Sequence, residues 1–333
     1  MPKFHLPLVP KLHLGTCISP KLRFAAFRPA EVQLRQHLRY QVKLGNEGMK
    51  NPPPMKIPIP SFFTAAILLL CLLPASARAD ILYVSSYNGH SITKFTSDGI
   101  GSVFATGLVV PLDLAFDLAG NLYVRNANDT ILKFSAVGVS SVFVSSISGR
   151  GLAFDSEGNL YASRSGNNMI EKFTPAGVPS VFVSGLSGPA DLAFDSAGNL
   201  FVSCGNNTIQ KITPGGVVSV FASSGVNQPR GLAFDRAGNL YVAISSGSTI
   251  RKYTPSGGVS VFATSASGLA GPAGLAFDSA GNLYVANFPA GASTVEMFTS
   301  AGVGAVAVTR SKARRAPWAR NAVTKVQIGR AHV

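Results

Sequence analysis

Cysteine and histidine are scarce in this chain of 333 residues. Of its three cysteines, only Cys204 falls between residues 80 and 308, so no disulfide can form within that region and its fold must depend on a buried core. A lone cysteine is more often a small buried apolar residue than a nucleophile. Of the five histidines, only His90 lies in the same region. This gives little support to a histidine-based catalytic mechanism, which needs a positioned general base and a partner.

Charged residues are also few, at 13% of the chain, and they are unevenly distributed. Residues 80–309 carry 11 basic and 13 acidic side chains, whereas residues 1–79 carry 11 basic and 2 acidic ones. Residues 310–333 carry 7 basic side chains and no acidic one. The formal net charge of +14 therefore arises outside the central region. This balance argues against a basic nucleic-acid-binding face there, and we expect no nucleic-acid partner.

Long apolar runs and sustained helical periodicity are both missing. No window keeps a 3.6-residue period, which argues against helical solenoids. The main apolar run, Phe62–Leu73, has 12 residues, and a membrane-spanning helix needs about 20. Lys50 and Lys56 precede this run and an A-x-A site ends at Ala79, as in a secretory signal peptide.

These features define the predicted organisation of the N-terminal part. Residues 49–79 are predicted to be a signal peptide cleaved near Ala79, which leaves a mature chain without a transmembrane span. The protein is then secreted or held at the cell surface. Residues 1–48 show no repeat, and we interpret them as a disordered, spurious upstream extension of the reading frame.

One sequence recurs through the central region, and Gly231–Val242, GLAFDRAGNLYV, is its clearest copy. The phenylalanine of LAFD recurs in steps of 38, 40, 40 and 43 residues, at Phe116, Phe154, Phe194, Phe234 and Phe277. A fixed period near 40 indicates a repeat architecture. Within each copy, a DxxGN segment, which reads DxAGN in four of the five copies, has the Asp, Gly and Asn of a tight turn between two strands.

Each repeat supplies four predicted strands, in the order LAFD, LYV, TIxKFT and SVF. The first two are almost wholly apolar, as expected for strands buried on both faces between neighbouring sheets. The third carries polar residues, as an outer strand would. Four strands in about 40 residues is the size of a propeller blade. The sequence therefore predicts an all-β, six-bladed β-propeller over residues 80–308, which we expect to be a monomer.

The first blade lacks its innermost strand, because the chain enters the pattern at Ile81–Ser85, a second strand. That strand is either missing or supplied by the C-terminal end. Residues 309–333 contain no LAFD-like segment, and we interpret them as an unstructured basic tail. The end of this tail, Gln327–Val333, resembles translated adapter sequence, so we expect the tail to be artefactual and the true C-terminus to be missing. The alternative is that Asn321–Ile328 acts as a poor substitute closing strand.

The repeated pattern PxGLAFDxxGNLYVxxxxNxTIxKFTPxG resembles the NHL repeat over about residues 80–308. Together with the signal peptide, it looks like secreted bacterial NHL proteins that often end in a PEP-CTERM sorting segment, which is not found here. The resemblance implies a six-bladed propeller that usually serves as a binding platform. More distantly, the chain is similar to streptogramin lyases and gluconolactonase-like, metal-dependent hydrolases.

Candidate site residues are those that differ between blades. The residues just before LAFD should ring the mouth of the central channel, and four charged ones alternate in sign on successive blades: Asp113, Arg150, Asp191 and Arg230. They are either salt bridges at the rim or a ligand-binding site. The loops after the second strands contribute further candidate contacts, namely Tyr87, His90, Asn126, Arg164, Asn206, Asn287 and Phe288.

The sequence thus favours a non-catalytic binding scaffold that presents a protein or surface-polysaccharide site on its channel-mouth face and needs no cofactor. The alternative is a lactonase or streptogramin-lyase-like enzyme with its site at the same mouth. The lactonase would require a divalent cation, held by several carboxylate or amide oxygens.

Overall fold

In the computed structural model, residues 80–288, 294–300, 302, 304–308 and 323–330 are described. They form six antiparallel sheets of four strands each, which are the blades of a propeller. Among these ranges, the helical segments are two three-residue turns, and no helix is long and apolar enough to cross a membrane. The predicted six-bladed fold is therefore confirmed.

The strands follow in chain order, four to a blade, with one exception in blade 1. Blade 1 contains β1 (Asp80–Ser86), β2 (Ser91–Phe95) and β3 (Gly101–Ala105). Blade 2 contains β4 (Pro111–Phe116), β5 (Leu122–Asn126), β6 (Ile131–Phe134) and β7 (Ser140–Val144). Blade 3 contains β8 (Leu152–Phe154), β9 (Leu160–Arg164), β10 (Met169–Phe173) and β11 (Pro179–Ser184).

The second half repeats this arrangement. Blade 4 contains β12 (Pro189–Phe194), β13 (Leu200–Cys204), β14 (Thr208–Ile212) and β15 (Val218–Ala222). Blade 5 contains β16 (Pro229–Phe234), β17 (Leu240–Ile244), β18 (Thr249–Tyr253) and β19 (Val259–Ala263). Blade 6 contains β20 (Pro272–Phe277), β21 (Leu283–Asn287), β22 (Val295–Phe298) and β23 (Gly304–Val308). The remaining strand, β24 (Val323–Arg330), completes blade 1, in the order β24-β1-β2-β3.

Strand β24 closes the propeller ring by pairing with β1 along its whole length, from Asp80 opposite Arg330 to Ser86 opposite Val323. Each innermost strand contacts the next, from β24 through β4, β8, β12, β16 and β20 back to β24. Of the two possibilities for blade 1, the C-terminal end therefore supplies the strand.

The interpretation of residues 309–333 as an unstructured tail is wrong for 323–330. Val326 is fully buried and packs with Leu82 and Val84. The segment therefore pairs with the otherwise unpaired edge of β1 as a buried strand, although it contains no LAFD-like sequence. The rest of that tail, the signal peptide 49–79 and the extension 1–48 lie outside the described residues.

Six hydrophobic clusters hold the ring together, one at each interface between neighbouring blades. Five of these interfaces contain a trio of edge-to-face aromatic rings with centroids 4.8–5.2 Å apart. In each trio, the second-strand ring packs between the first-strand phenylalanine of the next blade and a fourth-strand phenylalanine. The trios are Tyr83 with Phe104 and Phe116, Tyr123 with Phe143 and Phe154, Tyr161 with Phe182 and Phe194, Phe201 with Phe221 and Phe234, and Tyr241 with Phe262 and Phe277.

The interface between blade 6 and blade 1, called the seam here, is built differently. Its second-strand ring is Tyr284, and the position of the first-strand phenylalanine is taken by Ile328 of β24. Aromatic pairs add about 0.5–1.5 kcal/mol beyond the area they bury. The seam therefore has less aromatic stabilisation than the other five interfaces.

The repeated DxAGN segments are turns, as the sequence predicts. In blade 5, Asp235 accepts hydrogen bonds from both the backbone N–H and the side-chain amide of Asn239, at 2.8 and 2.7 Å. Gly238 between them has a φ of +79°, which favours glycine. The same pattern in blades 2, 3, 4 and 6 explains why this aspartate recurs, and it leaves the differences between blades as the place to look for function.

Candidate functional site

A cavity of about 430 Å³ opens at the end of the channel where the innermost strands begin, and it is called the mouth cavity here. Its size lies within the range of small-molecule pockets, about 300–1,000 Å³. Its lining includes all four charged residues singled out in the sequence, two of the loop residues and one residue of β24, namely Asp113, Arg150, Asp191, Arg230, Tyr87, Phe288 and Lys325.

A local irregularity places the aspartates in the channel. In β4 the register with the second strand shifts between Pro111 and Asp113, and in β12 it shifts between Pro189 and Leu192, on either side of Asp191. Such bulges change the direction of a side chain and interrupt the ladder of hydrogen bonds. In blade 4, Ser203 compensates, because its Oγ accepts a hydrogen bond from the freed N–H of Asp191 at 2.9 Å.

Asp113, Asp191 and Lys325 form a buried triad across the channel. The Nζ of Lys325 lies 3.2 Å from Asp113 Oδ1 and 2.7 Å from Asp191 Oδ1. Each carboxylate also accepts a hydrogen bond from the next blade, Asp113 from the N–H of Leu152 at 2.6 Å and Asp191 from that of Leu232 at 2.8 Å. The triad therefore joins blades 1 to 5, and its acids are already occupied by partners within the chain.

One ammonium cannot neutralise two carboxylates, and the pKa values reflect this. Burial, opposed by Lys325 and reinforced by Asp191, raises the pKa of Asp113 to about 7. Burial alone would lower the pKa of Lys325, but the attraction of Asp113 and Asp191 outweighs it, and the pKa is raised. Near neutral pH Lys325 is therefore charged and Asp113 is partly protonated.

The two arginines lie in a different layer from the aspartates. Asp113 and Asp191 directly precede the leucine of the LAF segment, whereas Arg150 and Arg230 precede a glycine and so lie one residue earlier. The four charges therefore do not alternate around a single ring. The acids form the floor of the mouth cavity with Lys325, and the arginines lie above them in its wall.

The guanidinium groups have few partners within the chain. The Nε of Arg230 donates a hydrogen bond to Ser245 Oγ at 3.3 Å, and across the described ranges no carboxylate forms an ion pair with Arg150 or Arg230. Burial, together with the nearby charge of Arg150, lowers the pKa of Arg230. Two like charges thus face the same cavity.

Aromatic rings line the mouth cavity as well. Tyr87 follows β1 and Phe288 follows β21, and their ring centroids lie 6.0 Å apart in an edge-to-face arrangement. Both side chains are half-buried. They form an apolar wall in a cavity that also contains Arg150 and Arg230.

The other five loop candidates have partners within the chain. His90 accepts a hydrogen bond from the N–H of Val110, Arg164 pairs with Glu171 at 3.0 Å, and Asn206 accepts from Thr208. Asn126 is buried beside Thr130, and Asn287 is buried with its amide on Gly268 and Thr294. None of the five belongs to the lining of the mouth cavity, and a ligand contact by any of them stays a prediction.

Sequence reasoning missed two residues near this site. Lys325 was missed because β24 shares no motif with the other innermost strands. Arg125, at the end of β5, is 1% exposed and pairs with Asp129 at 3.2 Å. It takes the place of the serine found in other second strands, such as Ser203. This difference from the other repeats can be seen in the sequence and could have identified Arg125.

A divalent cation, as the gluconolactonase-like resemblance implies, does not fit Asp113 and Asp191. Metal ions of this kind need several oxygen ligands. The ammonium of Lys325 already lies between these carboxylates, and their other oxygens accept backbone hydrogen bonds. Among the described residues, no group of three or more His, Cys, Asp or Glu side chains is placed to hold a metal.

Comparisons with known proteins bear on the fold. Neither a scan against protein-family models nor a search of the curated proteins finds a match. Among solved structures, virginiamycin B lyase from Staphylococcus aureus matches with a TM-score of 0.54 and 17% identity, over 68% of this chain and 79% of that one. A gluconolactonase from Xanthomonas campestris matches with a TM-score of 0.56 and 17% identity, over 77% and 94%.

A chain of a nidogen/laminin complex matches with a TM-score of 0.64 and 17% identity, over 76% of this chain and all of that one. The three structures are named as a lyase, a gluconolactonase and part of a nidogen/laminin complex, so proteins with different functions share this fold. At such identities the likeness concerns the fold alone: the chain is a six-bladed propeller, and its fold resembles those of the streptogramin lyase and gluconolactonase structures.

Proposed function

We propose that this protein is a non-catalytic binding module whose ligand enters the mouth cavity. One observation carries the proposal: a cavity of ligand size has two arginines and two aromatic rings in its wall, while the acids in its floor are held by Lys325 and by backbone N–H groups. Binding sites are typically concave and largely apolar, with a few polar groups that fix orientation. Arg150, Arg230, Tyr87 and Phe288 match this description.

We also propose that the blades are of the NHL type and that the protein is exported. The repeat pattern supports the first statement. The second is supported by the agreement between the predicted cleavage site and the fold, because Asp80 begins β1 and accepts a hydrogen bond from the N–H of Ser279 at 2.6 Å. Expression in a bacterium with an active secretory pathway, followed by N-terminal sequencing, should give Asp-Ile-Leu. A mature N-terminus elsewhere would contradict the proposed cleavage.

The binding proposal can be tested by blocking the mouth cavity. Ala127 is an exposed residue of its lining, so Ala127→Trp should fill the cavity without disturbing the core. Ala136, in the exposed turn between β6 and β7, gives the matched control Ala136→Trp. The full chain and both variants are applied to an array of bacterial surface polysaccharides and extracellular proteins.

We expect the full chain to bind at least one class of array member, Ala127→Trp to lose that binding and Ala136→Trp to keep it. Equal binding by all three proteins would place the interaction elsewhere. No binding to any array member would contradict the proposal.

A metal-dependent lactonase is the second candidate, because the fold also occurs in a gluconolactonase. The site argues against it, since Lys325 lies where a cation would have to contact Asp113 and Asp191. Metal analysis of the purified full chain, with an assay of lactone hydrolysis, separates the two candidates. Stoichiometric divalent metal together with turnover would favour the enzyme over the binding module.

A further inference from the structure

Of the charged side chains that line the mouth cavity, the arginines are free to contact a ligand and the aspartates are not. The carboxylates of Asp113 and Asp191 are buried and are held by Lys325 and by backbone N–H groups. In the wall, the terminal nitrogens of Arg230 and the whole guanidinium of Arg150 make no hydrogen bond to any other described residue. The charges open to a ligand are therefore positive.

The arginines favour an oxyanion, such as a carboxylate, as the group bound. A guanidinium presents planar, paired donors that match the two oxygens of a carboxylate. The contact of Arg230 with Ser245 uses its Nε and leaves its terminal nitrogens available. Two like charges that face one cavity are also unfavourable until an anion lies between them. Burial and, after it, the charge of Arg150 both lower the pKa of Arg230, and an anion would oppose this effect.

The rest of the wall favours a sugar ring as the carrier of that carboxylate. Tyr87 and Phe288 provide aromatic surface in the cavity, against which the apolar C–H face of a pyranose can pack. The buried triad closes the cavity from below, so that it accepts the end of a ligand rather than a chain passing through. The hydroxyl of Ser165 and the backbone at Gly149 and Gly231 line the same space and can pair with sugar hydroxyls.

We infer that the mouth cavity binds the acidic end of a polysaccharide, with the carboxylate of a uronic acid held by Arg150 and Arg230 and its ring packed on Tyr87 and Phe288. This inference rests on the proposed binding function and specifies its ligand class. An acidic peptide shares the carboxylate but has no pyranose ring.

The test uses calorimetry on the full chain with three probes: trigalacturonic acid, its methyl ester and hexaglutamate. The variants are Arg150→Gln and Arg230→Gln, with Arg236→Gln as the matched control. Arg236 is an exposed arginine in the turn after β16 and is not part of the mouth cavity. Ala127→Trp reports whether any observed binding takes place in the cavity.

We expect trigalacturonic acid to bind, the ester and hexaglutamate to bind at least tenfold more weakly, and each cavity arginine variant to lose about tenfold or more in affinity. Arg236→Gln should bind as the unmodified chain does. Affinity for the acid should also fall as salt is raised.

Three results would overturn the inference. They are equal binding of acid and ester, unchanged affinity in both cavity arginine variants, and preference for hexaglutamate. In each of these cases a probe still binds to the full chain. If the Ala127→Trp variant loses that binding, the ligand still occupies the mouth cavity, so the proposed binding function stands and only the uronic-acid assignment fails. Absence of binding by all three probes also overturns the assignment, and the array then decides the binding function separately.

Discussion

Replacing Lys325 with methionine should severely destabilise the propeller. The change removes an ammonium that lies 3.2 and 2.7 Å from two buried carboxylates and leaves both without a counter-charge. At an effective dielectric constant of about 20, each contact is worth about 5–6 kcal/mol of Coulomb attraction before the cost of desolvation is subtracted. Removing one partner of a buried ion pair typically costs about 3–5 kcal/mol, and we expect a loss in this range from the free energy of unfolding at pH 8.

Urea denaturation of the full chain at two pH values gives the measurement. The loss should shrink between pH 8 and pH 5, because buried carboxylates without a counter-charge take up protons more readily and so lose the unfavourable charge. Lys94→Met, at a partly exposed lysine of the same blade, is the control and should cost less than about 1 kcal/mol. A loss below 1 kcal/mol for Lys325→Met at pH 8, or an equal loss at both pH values, would refute the assignment of the triad and of β24.

Three further outcomes follow from the fold. Gly231→Ala would place a Cβ atom 2.3 Å from a backbone oxygen of the next blade, and it should lower the free energy of unfolding by about 1–3 kcal/mol or more. The control is Gly166→Ala, whose added Cβ atom meets nothing within 4 Å. Similar urea midpoints for the two variants would contradict this packing. Phe194→Ala removes a ring from an aromatic trio and, because this ring is only partly buried, should cost about 2–4 kcal/mol, which thermal unfolding can measure. Because the pKa of Asp113 is raised to about 7 from an ordinary value near 3.8, its contribution to stability is complete in acid and is lost as the pH rises through 7. The urea midpoint of the unmodified chain should therefore fall between pH 5 and pH 8, and Asp113→Asn should remove much of that fall; an equal fall in both proteins would show that another group is responsible.

The number of blades and their core could be predicted from the sequence because each blade repeats the same local solution. The phenylalanine of LAFD marks every aromatic trio, and the Asp, Gly and Asn of DxAGN form a turn that depends on neighbouring residues alone. Patterns of this kind involve residues close together in the chain, so they can be recognised in a single sequence. They gave the strand order of five blades and most of the sixth.

The site was only partly predictable, since it depends on contacts between distant residues. Asp113, Arg150, Asp191 and Arg230 were found because they interrupt the repeat, but their sequence positions did not reveal two layers. The partner of the acids, Lys325, belongs to a strand that is held by the unpaired edge of β1 rather than by any recurring motif. No pattern in the sequence connects a lysine to an aspartate 134 residues away.

Closure of the ring through β24 has a consequence for biosynthesis. Ser85 and Lys325 are 240 residues apart and meet in the same sheet, so β1 is made first and must remain unpaired along one edge until the last strand has been synthesised. Blades 2 to 6 can form from local hairpins during this interval, whereas blade 1 needs a contact of very high sequence separation, which is slow to form. An exposed strand edge is also a site where a second chain can pair. At high concentration, the β24 of one molecule can therefore complete blade 1 of another, and refolding at increasing protein concentration should yield strand-exchanged dimers.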